Sequence, residues 1–422
     1  MPAERCDVVV VGGGIAGRAL ACALGSGGLE VVVLGARPAG EAAARSPFEE
    51  RPIALAEGSR HVLRGLVPGA WVAIETAAAP ITAIHVSEAG GFGYTRIRAD
   101  ALGVPALGYV AGASRIGAAL ARAAGGLPAV RFVPAEVCDL ALGAERATVR
   151  ALARDGGGSV RLEARLVVAA DGGASRVRGL GGFQVRARDY RRHALVANVE
   201  CERAPGGWAF ERFTADGPLA LLPLRSRPRS GGGCCGLVWT LRDEEAHSLA
   251  AAPPAAFLRA LEARFGTRLG RIHRVGERGV VPLSLAVSRR AVHGRVALVG
   301  NAAHQLHPVA GQGLNLGLRD VAGLAEAVLA PRAGGGPGRG DPGAPGVLAR
   351  YEALRRADWA RTVRATDALV SIFAGGSAGR RAARGVGLLL ADLAPGVKEA
   401  IAVRAMGGRP VAALRALGAG PG

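Results

Sequence analysis

The chain has 422 residues, of which 50% are hydrophobic, so it is long enough to bury a large core and to form two domains. Its formal net charge of +19 comes from 53 basic and 34 acidic residues, and Lys398 is the single lysine. The arginines are scattered and do not alternate with aromatic residues, so we expect no nucleic-acid binding and instead attraction to an anionic membrane surface.

The N-terminal residues enter a strand pattern by Asp7, which leaves no room for a signal peptide. The longest uncharged stretch, 296–318, is too polar for a membrane span because it contains Asn301, His304 and Gln312. We therefore predict a cytoplasmic protein without a transmembrane helix, with peripheral contact at the inner face of the membrane. The six cysteines form no CxxC pair, so we expect neither disulfides nor a bound metal.

The first predicted element is the apolar run DVVVVGGGIAG at 7–17. It breaks into Gly12, Gly14 and Gly17 with G-x-G-x-x-G spacing, and a helix-compatible stretch and a second apolar run follow. This order of strand, glycine turn, helix and strand predicts a Rossmann-type dinucleotide site, where the turn lets a pyrophosphate approach the helix N-terminus. The alternative is a glycine-rich loop in an ordinary doubly wound sheet.

The second apolar run, VVVL at 31–34, ends on Gly35. An acidic residue that binds the adenosine ribose is expected at this position of a dinucleotide site. Glu30 lies at the other end of the run and cannot replace it. We expect Gly35 to weaken dinucleotide binding without abolishing it, and Gly35→Glu to strengthen it.

The middle of the chain contains two further kinds of signal. Leu166–Ala170 is a predicted strand followed by the turn Asp171-Gly172, which alone is an ordinary turn. Residues 80–97 and 208–224 have strand–turn–strand patterns, the second with a tight turn at Asp216-Gly217. These patches predict an antiparallel sheet inserted into the dinucleotide domain. The second glycine-rich match, GGGCCG at 231–236, lacks a preceding strand and is interpreted as a loop.

Apolar side chains of the inserted sheet are candidates for the wall of a substrate pocket, with ordinary sheet core as the alternative for each of them. The residues we select are Phe210, Phe213, Leu221 and Pro223.

The third signature is RVALVGNAAHQLHPVAGQGLNLGLRD at 295–320. A strand ends at Gly300-Asn301, a glycine-containing loop follows, and an amphipathic helix begins near Leu314. Free N–H groups at such a helix start favour a ligand that develops negative charge, as the ring of a reduced flavin does. His304 and His307 lack a third ligand, so we predict hydrogen-bonding roles for them rather than metal binding. A low-complexity loop at 332–346 and a long helix at 347–373 complete the pattern.

Taken together, these segments resemble the FAD-dependent aromatic hydroxylases and, more narrowly, the ubiquinone-biosynthesis hydroxylases of the 2-polyprenyl-6-methoxyphenol hydroxylase branch. The narrower resemblance covers nearly the whole chain and rests on five segments: PITAIHVSEAGGFGYTRI (80–97), ALGYV (106–110), FERFTADGPLALLPL (210–224), GLVWT (236–240) and GNAAHQLHPVAGQGLNLGLRD (300–320). One departure is Ala111-Gly112-Ala113, where relatives commonly carry Val-Glu-Asn after GYV.

The resemblance implies an α/β fold: a Rossmann-like FAD-binding domain, an inserted antiparallel-sheet substrate domain and C-terminal helices. It places the FAD-binding domain at 1–75, 101–180 and 278–360, the substrate domain at 76–100 and 181–277, and a C-terminal helical region at 361–422. The cofactor-binding positions that it implies are Gly12, Gly14, Gly17, Arg51, Asp171, Asn301, Pro308, Gly311, Gly313 and Leu314.

The function implied is that of a FAD-dependent monooxygenase that hydroxylates a polyprenylated phenol on the route to ubiquinone. It would use O2, with NAD(P)H as a transient reductant, through a flavin hydroperoxide, and no side chain stands out as catalytic. Partners would include a ubiquinone-biosynthesis assembly; the oligomeric state stays open. Two alternatives remain: a flavin oxidase or dehydrogenase that does not hydroxylate, and a non-catalytic or weakly FAD-binding member of such an assembly.

Overall fold

A computed structural model describes residues 3–35, 48–91, 93–154, 156, 158–226, 231–306, 311–333, 340–373 and 406. In this part of the chain the strands are β1 (Glu4–Val11), β2 (Val31–Leu34), β3 (Pro52–Ala56), β4 (Ala79–Ile81), β5 (Ala83–Glu88), β6 (Tyr94–Arg98), β7 (Gly108–Gly112), β8 (Val130–Val133), β9 (Ala135–Leu142), β10 (Ala147–Ala153), β11 (Ser159–Ala169), β12 (Val185–Cys201), β13 (Trp208–Phe213), β14 (Pro218–Leu224), β15 (Gly233–Leu241), β16 (Ile272–Val275), β17 (Gly279–Ser288), β18 (Val292–His293), β19 (Val296–Leu298) and β20 (His304–Gln305).

The helices of the same residues are α1 (Ile15–Ser26), α2 (Glu57–Leu66), α3 (Pro68–Glu75), α4 (Ala113–Gly125), α5 (Arg176–Leu180), α6 (Asp243–Ala251), α7 (Pro254–Phe265), α8 (Gln312–Ala333) and α9 (Pro345–Phe373). Short 3₁₀ helices span Asp100–Leu102 and Gly300–Ala302. None of these described helices combines the length and the hydropathy needed to cross a membrane.

The first sheet is Rossmann-like. Among the described strands its order is β18-β19-β11-β1-β2-β8, with β10 paired to β11 and β9 to β10. The central strands β19, β11, β1, β2 and β8 are parallel. They are runs of valine, leucine and alanine because helices cover both faces of such a sheet. Helix α1 packs on α4 and α8, and these elements share one large buried core.

The second sheet is built around the long strand β12. Its described order is β20-β17-β12-β15-β14-β13-β5-β6, with β16 also paired to β12. All of its pairs are antiparallel except β13 with β5, which run parallel. The hairpin predicted at 208–224 forms as β13 and β14. The loop predicted at 231–236 is wrong from Gly233 onward, because these residues enter β15 and pair with both β12 and β14.

The two faces of the second sheet have different neighbours. We call outer the face that carries Leu195, Trp239, Leu221 and Phe210, which pack in one cluster with Phe257 of α7. We call inner the opposite face, where Ala209 and Leu222 cluster with Val110 of β7. Because side chains alternate along a strand, every second residue belongs to the inner face.

A small third sheet, β3-β7-β4, lies between the other two sheets. Gly236 allows close approach here, since a β-carbon on it would lie 2.6 Å from Pro52 of β3. The Asn198 side chain on the inner face donates to the Phe48 and Glu50 carbonyls, at 2.8 and 2.7 Å. These contacts hold the inner face against the chain that leads into β3. The predicted fold class is therefore confirmed.

Candidate functional site

The glycine turn after β1 is shaped by two close backbone approaches. Gly12 has a φ of +113°, and a β-carbon on it would lie 2.2 Å from the Ala170 carbonyl oxygen. A β-carbon on Gly17 would lie 1.9 Å from the Gly12 carbonyl oxygen. A β-carbon on Gly14, in contrast, would meet no atom within 4 Å. Gly12 and Gly17 thus allow the turn to close, while Gly14 faces open space.

Helix α1 begins directly at this open space. Its N-cap is Gly14, no side chain caps it, and its first turn contains no acidic residue. The free N–H groups and the helix dipole favour an anion. An opening beside Gly14 with uncapped amides in front of it fits the pyrophosphate of a dinucleotide.

Gly35 follows β2 at the same edge of the first sheet. Its φ is +85°, in the left-handed region that L side chains disfavour, and its N–H donates to the Val133 carbonyl at 3.1 Å. The missing acidic residue is therefore accompanied by a backbone conformation that suits glycine. An acid substituted here would start in a strained position, which the sequence alone does not reveal.

Asp171 lies at the carboxyl end of β11, next to the glycine turn. One carboxylate oxygen, Oδ2, accepts from the N–H groups of Arg176 and Val177, at 2.8 and 3.2 Å, and caps α5. The other, Oδ1, is buried and has no hydrogen-bond partner among the described residues. A buried carboxylate oxygen without a partner indicates that a ligand donor, such as a hydroxyl of the cofactor, belongs there.

The third signature, residues 295–320, lies beside the Asp171 turn and the glycine turn. The Arg178 guanidinium donates to the carbonyls of Gly173 and Ala302, at 2.7 and 3.0 Å, and so joins the Asp171 turn to the 3₁₀ helix of the third signature. A β-carbon on Gly300 would lie 3.5 Å from the Ala16 β-carbon of α1. The structure thus brings the three separate sequence signatures to one edge of the first sheet.

Residues at the start of α8 leave room for a flat ligand. Gly311 has a φ of +61°, Gly313 has open space around its α-carbon, and Leu314 is half-buried. Asn301 is exposed at this edge. Pro308 and His307 lie outside the described residues. The N-terminus of α8 can therefore present backbone N–H groups to a ring that gains negative charge.

Asn315, which the sequence reasoning missed, fixes the start of α8. Its Oδ1 accepts from the Ala56 N–H at 2.8 Å and from the Ser59 hydroxyl at 2.6 Å. Its Nδ2 donates to the carbonyls of Ala54 and Gly311, at 3.0 and 2.7 Å. The sequence signal was a polar residue two positions after Gly313, because three of its four partners, Ala54, Ala56 and Ser59, lie more than 250 residues away in the chain.

A buried ionic network holds the 3₁₀ helix from behind. Asp320 Oδ2 accepts from the Gly300 N–H at 3.0 Å and pairs with His304 Nε2 at 2.5 Å. Its Oδ1 accepts from Arg355 at 2.8 Å and from the Trp359 indole at 2.7 Å. Burial alone would raise the pKa of Asp320, but the positive charges of His304 and Arg355 and the hydrogen bonds from His304 and Trp359 lower it to about 2. His304 thus has a hydrogen-bonding role.

Arg51 is exposed at the start of β3, and its carbonyl accepts from the Ala113 N–H at 2.9 Å. The preceding residue, Glu50, is buried and pairs with Arg115 at 3.3 Å. A β-carbon on Gly112 would lie 1.5 Å from Glu50 Oε2, so the Glu50 carboxylate occupies the space beside Gly112, where the sequence lacks the expected glutamate. Burial raises the pKa of Glu50 despite the opposing effect of Arg115.

The residues predicted to form a pocket wall divide between the two faces of the second sheet. Phe210 and Leu221 belong to the outer-face cluster under α7, and Pro223 pairs with Cys235 of that cluster. Their side chains pack in the sheet core, which is the alternative that the sequence left open for each of them. Phe213 lies on the inner face by the alternation of side chains along a strand. The half-buried inner-face residues of β14 are Pro218, Ala220, Leu222 and Leu224.

Comparison with known proteins gives the family. A model of the family described as "FAD binding domain" matches residues 5–366. The ubiquinone hydroxylase UbiL of Rhodospirillum rubrum is 39% identical over 404 residues, which cover 95% of this chain and 89% of the relative. The 3-demethoxyubiquinol 3-hydroxylase of Escherichia coli is 32% identical and covers 96% and 100%.

A similar fold occurs in the crystal structure of p-nitrophenol 4-monooxygenase from Pseudomonas putida. The TM-score is 0.74 at 22% identity, with 97% of this chain and 100% of that chain covered. The open glycine turn, the unpartnered Asp171 oxygen and the start of α8 agree with the cofactor of this family. The chain therefore belongs to the FAD-binding-domain family and is a FAD-dependent monooxygenase of the aromatic hydroxylase type, grouped with the ubiquinone-biosynthesis hydroxylases.

Proposed function

We propose that the enzyme hydroxylates a polyprenylated phenol of the 2-polyprenyl-6-methoxyphenol type in ubiquinone biosynthesis. The observation that carries this proposal is the similarity over nearly the whole chain to two named ubiquinone hydroxylases, at 39% and 32% identity. Because the similarity covers both sheets, it includes the substrate side as well as the cofactor side.

The cofactor-binding residues have distinct roles in this proposal. Gly14 and the N-terminus of α1 would hold the pyrophosphate of FAD, Asp171 Oδ1 would accept a hydrogen bond from a cofactor hydroxyl, and the start of α8 would face the flavin ring. FAD bound there would supply the redox chemistry, which is hydride acceptance from NAD(P)H and activation of O2 for transfer of one oxygen atom to an electron-rich ring. The overall reaction consumes NAD(P)H, a proton, O2 and the phenol, and gives NAD(P)⁺, water and the hydroxylated phenol.

The protein itself positions the phenol and excludes water. The inner face offers an apolar wall of Ala209, Leu222 and Leu224, and Ala209 packs against Val110 of β7. An apolar site of this kind fits an aromatic ring with a prenyl tail. We assign the first sheet and its helices to the FAD-binding domain and the second sheet with α6 and α7 to the substrate domain. Because β17 (Gly279–Ser288) pairs with β12 in the second sheet, this assignment moves the boundary expected at residue 278 to the end of β17.

The net charge of +19 supports contact with an anionic membrane surface, where a polyprenylated substrate would be met. We include this peripheral contact, and membership of a ubiquinone-biosynthesis assembly, in the proposal.

The test begins with the visible spectrum and the flavin content of the purified protein. It continues with 2-prenyl-6-methoxyphenol, NADPH or NADH, and ¹⁸O2. The proposal predicts near-stoichiometric FAD and one ¹⁸O atom in the product for each nicotinamide oxidised. Hydrogen peroxide without labelled product would instead identify a flavin oxidase, and flavin-free protein that takes up no added FAD would overturn the enzyme assignment.

A further inference from the structure

Glu211 is a carboxyl group without an evident structural role. On its face of β13 it lies between Ala209 and Phe213, and across the sheet it lies opposite Val86 of β5 and Ala220 of β14. Among the described residues no hydrogen bond or ion pair to its carboxylate is found. Its sequence neighbours point the other way: Phe210 packs in the outer-face cluster, and Arg212 donates to the Arg264 carbonyl. A charged group in a sheet of apolar neighbours is costly to keep unless it has a function.

The alternation along β13 places Glu211 on the inner face. Arg212 reaches α7 on the outer side, whereas Ala209 packs with Val110 of β7 and Met406. The adjacent row of this face contains Gly236, which approaches Pro52 of β3. Two residues further along β3, Ala54 accepts from Asn315 and lies beside Gly311 at the start of α8. These contacts lead from the row of side chains beside that of Glu211 to the start of α8, which is the flavin side of the proposed site.

The surroundings of Glu211 suit proton transfer near neutral pH. Burial raises the pKa of its carboxyl to about 7. A base is most effective when its pKa is close to the working pH, because both protonation states are then accessible.

We propose that Glu211 is the catalytic base that removes the proton from the phenolic hydroxyl of the substrate. This inference rests on the proposed function and adds the residue that activates the ring. The phenolic O–H bond breaks, an O–H bond forms on the Glu211 carboxylate, and the electron pair stays on the phenol oxygen. The resulting phenolate has a more nucleophilic ring carbon, which receives the oxygen atom that the flavin reaction supplies. That carbon then loses its proton to solvent, and Glu211 returns its own proton to the phenolate oxygen of the product.

Other charged groups are placed around the same face and define the rival assignments. On the sheet, alternation puts them in β5 and β12, and one further pair comes from the residue two positions before β3 and from α4. They are Glu88, Arg192, Glu200 and the Glu50–Arg115 pair. The Glu200 carboxylate is paired with Arg274 at 2.6 Å and the Glu50 carboxylate with Arg115, while Arg192 is a cation that donates to the Asp216 carbonyl. Glu88, opposite Phe213, is the matched carboxyl control.

The experiment compares wild-type holoenzyme with Glu211→Gln, Glu211→Asp and Glu88→Gln. The first readout is the pH dependence of product formation from 2-prenyl-6-methoxyphenol. The second is the same rate with a ring-fluorinated analogue, whose more acidic hydroxyl depends less on a base. We expect a rate that rises with pH through about 7 in wild type and in Glu88→Gln. Glu211→Gln should lose this pH dependence, with kcat lower by roughly a hundredfold or more and FAD content unchanged, and should recover part of the rate with the fluorinated phenol.

Glu211→Asp keeps a carboxylate that is one methylene shorter, and an intermediate rate with retained pH dependence supports the assignment even if Glu211→Gln folds poorly. The assignment is overturned if Glu211→Gln keeps the wild-type rate and pH profile, or if Glu88→Gln is the variant that loses them. Wild type that incorporates no ¹⁸O into either phenol would reject the proposed function, whereas labelled product formed equally by wild type and Glu211→Gln would reject only the base. The two failures are therefore distinguishable.

Discussion

Replacing Gly35 tests how the enzyme tolerates the absence of the ribose-binding acid. In Gly35→Glu a carboxylate returns to the end of β2, but the backbone there has a φ of +85°. Among the residues that the structure describes, a β-carbon on Gly35 would meet only the Ala135 carbonyl oxygen, at 3.9 Å, which leaves space for the added side chain. The substitution therefore separates two effects, which are strain in the protein and a new contact to the ribose.

The magnitudes of these effects can be estimated separately. An L residue in the left-handed region costs about 1–2 kcal/mol of folding free energy. A hydrogen bond to a charged acceptor contributes roughly 1.5–3 kcal/mol, which corresponds to a ten- to hundredfold lower Kd for FAD. The strain is present with and without FAD and so lowers the stability of both forms, whereas the ribose contact affects only binding.

The assay is a titration of flavin-depleted protein with FAD, followed by flavin fluorescence, together with thermal unfolding of the flavin-depleted protein. Gly35→Ala is the matched control, since it introduces the strain without the carboxylate. We expect both variants to unfold at lower temperature and only Gly35→Glu to bind FAD more tightly. Equal Kd values for Gly35→Glu and wild type would refute the idea that Gly35 weakens the cofactor site.

Three further variants test the cofactor site and the ionic network behind it. Gly14→Ala should fold normally but bind FAD at least about tenfold more weakly in the same titration, because its methyl group enters the space left for the pyrophosphate. Gly12→Ala should lose about 3 kcal/mol or more of unfolding free energy in urea, because its methyl group would overlap the Ala170 carbonyl. Normal FAD affinity in Gly14→Ala would exclude this opening as the pyrophosphate site. Asp320→Asn should cost roughly 3–5 kcal/mol of unfolding free energy, because it removes the buried carboxylate that pairs with both His304 and Arg355 and leaves Arg355 with the Asp358 carboxylate. Because the folded-state pKa of Asp320 is lowered to about 2, the stability that its carboxylate contributes is complete above the unfolded pKa of about 3.9 and is lost as the pH falls toward 2. The free energies of unfolding of wild type and Asp320→Asn, measured in urea from pH 7 to 2, should therefore converge at the acid end.

Sequence reasoning succeeded where the signal is local. The glycine turn at Gly12, the hairpin turn at Asp216-Gly217 and the long helix α9 each depend on residues that are close in the chain, and all are present. It left open whether Phe210 and Leu221 are sheet core or pocket wall, because a strand pattern gives the alternation of side chains but not which face meets the cofactor domain; in the structure both lie in the core under α7. It also missed Asn315 and Asp320, whose partners lie on other elements.

The amino-acid order by itself determines the strand, turn and helix at the cofactor site, since glycine spacing and apolar runs act through local backbone preference. The tertiary structure alone decides how the Asp171 turn, the Gly300 segment and the glycine turn share one sheet edge. It also decides that Glu50 occupies the space beside Gly112 and that Glu211 lies on the inner face. These relations join residues far apart in sequence, and they depend on strand order and on which face each sheet buries, which no local pattern encodes.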